Sequence, residues 1–115
     1  MRLARTLGGR GFLPFESASL AGALETAREL TLDLALLDDY FPDGAGLDAC
    51  VELRALSRAR VIVMTRDPSR QLRREALSAG AYAVVPKPLR SGLLLATVEA
   101  ALAGRGRRRV ERPIH

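Results

Sequence analysis

Two segments of this chain are apolar almost without interruption yet too short for buried helices: LDLALLD at residues 32–38, apolar after Asp33, and RVIVMT at residues 60–65. A strand with one wet face alternates apolar and polar residues. A strand that is apolar throughout must be covered on both faces, which requires helix layers above and below a parallel sheet. The β-branched residues of RVIVMT favour the strand over a helix.

The rest of the chain supplies the helices. Ser19 is placed to cap a helix in which Leu20, Ala23, Leu24 and Ala27 recur at helical spacing. Leu47, Cys50 and Val51 mark a further helix after the turn Pro42-Asp43-Gly44. Ser69 can cap another, carrying Leu72, Ala76 and Leu77 and stopped at Gly80. Ala81–Val85 reads as a strand closed by Pro86-Lys87-Pro88, and Ser91 opens a last helix with Leu94, Leu95, Val98, Ala101 and Leu102, ended by Gly104. At the amino end, Leu3, Ala4 and Leu7 look like the end of a helix halted by Gly8-Gly9. Phe12–Phe15 reads as a short strand that Pro14 confines to a sheet edge. Strand and helix alternate with short connections, which predicts an α/β three-layer sandwich with a parallel sheet.

With 115 residues there is room for one core. Cys50 has no second cysteine, so neither a disulfide nor a thiolate metal cluster is available. No apolar run approaches the ~20 residues that cross a bilayer, and the first residues lack the apolar stretch of a secretory signal. A cytoplasmic protein without a membrane partner is expected. The net charge is +5, but RGRRRVER at 105–112 sets five arginines against Glu111 alone, so the basic character belongs to the tail. Residues 104–115 read as a disordered basic tail. It has no interleaved aromatics and no adjoining recognition helix, so nucleic acid is not directly indicated as a partner.

Open parallel sheets bind ligands at the carboxyl ends of their strands. Asp38, Thr65 and Lys87 each follow an apolar strand and can converge on one rim. A carboxylate, a hydroxyl and an ammonium together suit phosphoryl chemistry: the first attacks phosphorus, the other two bind the transferred oxygens. Lys87 is the only lysine in a chain that otherwise uses arginine for positive charge, which points to a need for a compact ammonium. Pro88 biases it toward extended backbone. Against this, an aspartate after a strand is commonly a turn former, a role open to Asp38, Asp39 or Asp43, and a strand threonine is commonly there for its β-propensity.

DLALLDDYFPDGAGLDAC, RVIVMT and SAGAYAVVPKPL, in this order and spacing, resemble the three signature segments of response-regulator receiver domains from two-component signalling. The resemblance covers roughly residues 2–103 and implies a receiver domain over residues 1–103 that starts within the family's first helix. It implies a flavodoxin-like sheet of order 2-1-3-4-5, Asp38 as phospho-acceptor, Thr65 on a phosphoryl oxygen, and Lys87 paired with the carboxylate or the phosphoryl group before a cis Pro88. It also implies Mg²⁺ held by Asp38 and the backbone carbonyl of Tyr40. A sensor histidine kinase would be the donor, and an output protein or domain would be reached through the surface near the last strand, with a homodimer among the options. Such a domain is a signalling phosphoprotein, not an enzyme beyond its own phosphorylation and dephosphorylation.

Some positions depart from the family. The usual first strand, which ends in the acidic pair that binds Mg²⁺, has no counterpart in this sequence. Arg66 stands where a small residue usually follows the threonine. Val84 stands where an aromatic ring usually reports phosphorylation. A second reading, a pseudo-receiver that works through protein contacts without phosphorylation, follows if the acidic pair is absent. A phosphatase with an aspartate nucleophile would need a second Asp at position 40, where this chain has Tyr40.

Overall fold

The period-two arrangement of apolar side chains in the strands divides this domain into its layers. The computed structural model describes residues 19–29, 32–57 and 59–103. The expected helix end at residues 3–7, the strand at residues 12–15, Gly104 and the basic tail lie outside them. The elements run α1 (Leu20–Glu29), β1 (Leu34–Asp38), β2 (Tyr40–Phe41), β3 (Gly44–Ala45), α2 (Gly46–Leu56), β4 (Arg60–Thr65), α3 (Arg70–Ser78), β5 (Ala83–Pro86) and α4 (Ser91–Ala103). Among the described residues the main sheet is parallel, in the order β1-β4-β5, and β2 with β3 forms a two-residue antiparallel ribbon.

Alternate residues of each strand serve opposite layers. Ala35, Leu37, Val61 and Val63 pack with Ala27 of α1, Cys50 and Leu53 of α2, and Ala76 of α3. Leu34, Ile62 and Val85 face the other way, onto Leu94, Leu95, Val98 and Ala101 of α4. The middle strand β4 is covered on both sides, and Val61, Ile62, Val63 and Thr65 expose nothing to solvent. Burying such side chains stabilises the fold by ~1.5–3 kcal/mol each before entropy is counted. Burial also pushes the Cys50 thiol above its ordinary range, leaving it a small core residue.

Capping follows the sequence closely. Ser19 Oγ accepts the Gly22 N–H at 3.0 Å and Ser69 Oγ accepts the Leu72 N–H at 3.0 Å. Helix α3 stops at Gly80, whose φ of 106° lets its N–H reach the Leu77 carbonyl while the Ala81 N–H reaches Ala76. That bond withdraws Ala81 from the sheet, so β5 spans Ala83–Pro86 rather than the expected Ala81–Val85. Two helix faces also differ from expectation. Val51 and Leu77 are about half exposed, because each sits one step of ~100° past the buried Cys50 and Ala76. Ala49 and Leu53 complete the buried face of α2 instead.

The turn aspartate has a tertiary role. Asp43 accepts the Leu20 N–H on Oδ1 at 2.9 Å and the Ala21 N–H on Oδ2 at 3.1 Å, so it caps α1 across the intervening strand β1 in the chain. Those two backbone bonds hold its carboxyl below the ordinary aspartate range. A depressed folded-state pKa means that the folded form binds fewer protons. Its contribution is therefore complete above the ordinary aspartate range and is lost as pH falls through the lowered value. Hydrogen exchange at the Leu20 and Ala21 amides is expected to lose protection across that acid window in the native chain. An Asp43→Asn variant should show no such step; an unchanged step would assign it to another carboxyl.

Candidate functional site

The carboxyl ends of β1, β4 and β5 share one rim because the three strands are parallel and in register, with Asp38 opposite Met64 and Thr65 opposite Pro86. Two backbone bonds carry the ladders past the strand ends: Asp39 N–H to the Met64 carbonyl at 3.0 Å, and Lys87 N–H to the Thr65 carbonyl at 2.7 Å. The second fixes Lys87 beside β4, and the Lys87–Pro88 peptide is cis. The Lys87 ammonium forms an ion pair with Oδ1 of Asp38, both side chains being partly exposed. The predicted carboxylate and ammonium therefore meet.

Thr65 is fully buried at the same rim, but its hydroxyl bonds to groups other than the Asp38 carboxylate. Oγ1 donates to Oδ2 of Asp39 at 2.6 Å and accepts the Asp67 N–H at 3.0 Å. Asp39 is the residue that sequence reasoning left undecided: its 26-residue separation from Thr65 carries no local signal, and a doublet of aspartates does not say which one turns inward. Tyr40, expected to supply a carbonyl ligand, opens β2 and is 75% exposed. Arg66 is exposed and Val84 is buried, so position 84 carries no ring able to turn between core and surface.

The floor of the rim is set by a close approach. The Gly46 N–H donates to the Asp39 carbonyl at 3.0 Å, and a Cβ on Gly46 would lie 1.9 Å from the Asp38 carbonyl oxygen. Only glycine lets α2 start this near the Asp38-Asp39 backbone.

Magnesium requires near-octahedral oxygen ligation. The described residues bring the carboxylates of Asp38 and Asp39 to the rim, with one oxygen of each already held by Lys87 and Thr65. No group of three or more His, Cys, Asp or Glu gathers among them. The described residues do not by themselves complete a magnesium site.

A three-layer parallel α/β domain with an aspartate, a buried threonine and a lysine on one sheet rim has the build of a receiver-type signalling domain. Residues 1–99 match the response regulator receiver domain family, and the chain belongs to it. It is 36% identical over 93 residues to the transcriptional regulatory protein KdpE of Mycobacterium tuberculosis, a match covering 81% of this chain and 41% of that protein. It is likewise 36% identical over 102 residues to the KDP operon transcriptional regulatory protein KdpE of Escherichia coli, covering 88% and 45%. The chain thus spans less than half the length of these curated relatives. A two-component response regulator from Clostridium difficile superposes with a TM-score of 0.87 at 24% identity, over 92% of this chain and 88% of that one, a likeness of fold alone. A response regulator from Burkholderia pseudomallei, solved with a phosphorylated aspartic acid, calcium ion and citrate, gives 0.79 at 26% identity, over 96% and 66%. The expected three-layer parallel architecture is that of these receiver domains. Among the described residues no helix is long and apolar enough to cross a membrane.

Proposed function

We propose that this receiver domain signals by accepting a phosphoryl group on Asp38. An Asp38 carboxylate oxygen attacks phosphorus, the new P–O bond forms, and the P–N bond of a phosphohistidine breaks with its electron pair left on the imidazole nitrogen. The Lys87 ammonium binds the phosphoryl oxygens and offsets their charge, and Thr65 turns its hydroxyl toward one of them. The donor is a sensor histidine kinase. The output is a partner or a further domain reached through the surface near β5.

The observation that carries this reading is the ion pair between Lys87 and Asp38 at the rim. A salt bridge on a partly exposed edge adds little stability, so its placement at the carboxyl end of the sheet is better explained by chemistry. Treatment with acetyl phosphate in magnesium buffer is expected to add one phosphoryl mass to the native chain and none to an Asp38→Asn variant. An unmodified native chain would favour the contact-only module. Equal labelling of both chains would place the acceptor elsewhere.

A further inference from the structure

The Thr65 hydroxyl has a single proton, and that proton is committed. It goes to Oδ2 of Asp39 over 2.6 Å, the short separation of a charge-assisted bond, while the oxygen accepts from the Asp67 amide. Thr65 exposes no surface, so water cannot take over either role. The main chain of Asp39 is pinned at both ends of its peptide, by its own N–H on Met64 and by the Gly46 N–H on its carbonyl. Releasing Thr65 therefore asks only for side-chain rotation at Asp39, not for a backbone shift.

We infer that Asp39 is a positioning residue that competes with the incoming phosphoryl group for the Thr65 hydroxyl, and so sets how much of the domain is phosphorylated at a given donor level. The inference rests on Asp38 being the acceptor. A phosphoryl group on Asp38 gains the Thr65 proton only as Asp39 gives it up. The new negative charge also stands beside the Asp39 carboxylate and favours that release. Binding of the phosphoryl group and opening of the Asp39–Thr65 bond are then two views of one equilibrium. Because Asp39 favours the unmodified state, its removal raises phosphorylation instead of impairing it, the opposite of what loss of a merely supporting residue would do.

The test measures the phosphorylated fraction by intact mass at limiting acetyl phosphate in four chains: native, Asp39→Ala, Thr65→Ala and the double variant. Asp39→Ala is expected to raise the ratio of modified to unmodified chain roughly tenfold. Asp39→Asn, which keeps an acceptor without the charge, should fall between, and it also serves should the alanine variant fold poorly. In the Thr65→Ala background the Asp39 substitution should raise the ratio far less, since the contested proton is gone and only the charge repulsion is left to relieve. An equal rise in both backgrounds would mean plain charge repulsion and would overturn the competition, as would a fall in the Asp39→Ala chain. The Asp67 amide resonance of the unmodified protein is expected to move in Asp39→Ala; a stationary resonance also overturns the proposal. Absence of labelling in every chain that keeps Asp38 overturns the acceptor reading and the competition together. That failure differs from failure of the competition alone, in which labelling occurs but ignores Asp39.

Discussion

An alanine at position 46 is expected to destabilise the domain by about 2–3 kcal/mol and to suppress phosphorylation with it. The added Cβ would sit 1.9 Å from the Asp38 carbonyl oxygen and 3.2 Å from the Asp39 Cα. Both are backbone atoms, so no flexible side chain can move aside. Either α2 retreats, which breaks the Gly46–Asp39 bond and uncovers Cys50 and Leu53, or the Asp38-Asp39 segment shifts out of register with β4. The first route costs stability and the second also moves the Asp38 carboxylate away from Lys87. Gly92, in the first turn of α4, gives the matched control because a Cβ there meets nothing within 4 Å. Gly92→Ala should stabilise by up to about 1 kcal/mol, since alanine loses less backbone entropy on folding. Urea melts of the two variants decide the matter. A Gly46→Ala midpoint equal to that of the native chain would mean that the approach of α2 to the rim is looser than the structure gives.

The parts of this molecule that could be read from its sequence are those set by local pattern. The unbroken apolar runs forced a covered parallel sheet, and both faces of RVIVMT are buried as that argument requires. Ser19, Ser69 and Gly80 act where their chemistry placed them, because a cap is satisfied within one turn of chain. Lys87 stood out through residue usage, and its ion pair with Asp38 is present. What escaped was decided across the fold. Asp43 looked like an ordinary turn residue, yet its carboxylate caps a helix 22 and 23 residues earlier. Asp38 was singled out at the strand end, while Asp39 was read only as a possible turn former. The pleat of β1 turns them to different partners, one to Thr65 and the other to Lys87. Val51 and Leu77 marked their helices correctly, but which apolar residue beside the buried stripe stays exposed is decided by the sheet and not by the local pattern.

Loss of the Lys87 ammonium should separate catalysis from stability more cleanly than any other change. Lys87→Ala is expected to slow labelling by acetyl phosphate about a hundredfold, the usual consequence of removing one preorganised electrostatic partner of a developing charge. Its melting point should move little, by the equivalent of ~1 kcal/mol at most. The Asp38–Lys87 pair is partly exposed, and water takes up the freed carboxylate. The backbone of residue 87 keeps its bond to the Thr65 carbonyl whatever the side chain, so the rim itself survives the substitution. Arginine should not restore the rate, although it keeps the charge. A planar guanidinium spreads that charge over a wider fork and cannot place a compact cation at the position where the phosphoryl oxygens gather. Measuring initial labelling rates for the native, Lys87→Ala and Lys87→Arg chains, with urea melts alongside, tests both halves. A rate within threefold of native for Lys87→Ala would remove Lys87 from the chemistry. A large drop in stability with a proportionate drop in rate would make it a structural residue whose place at the rim is incidental.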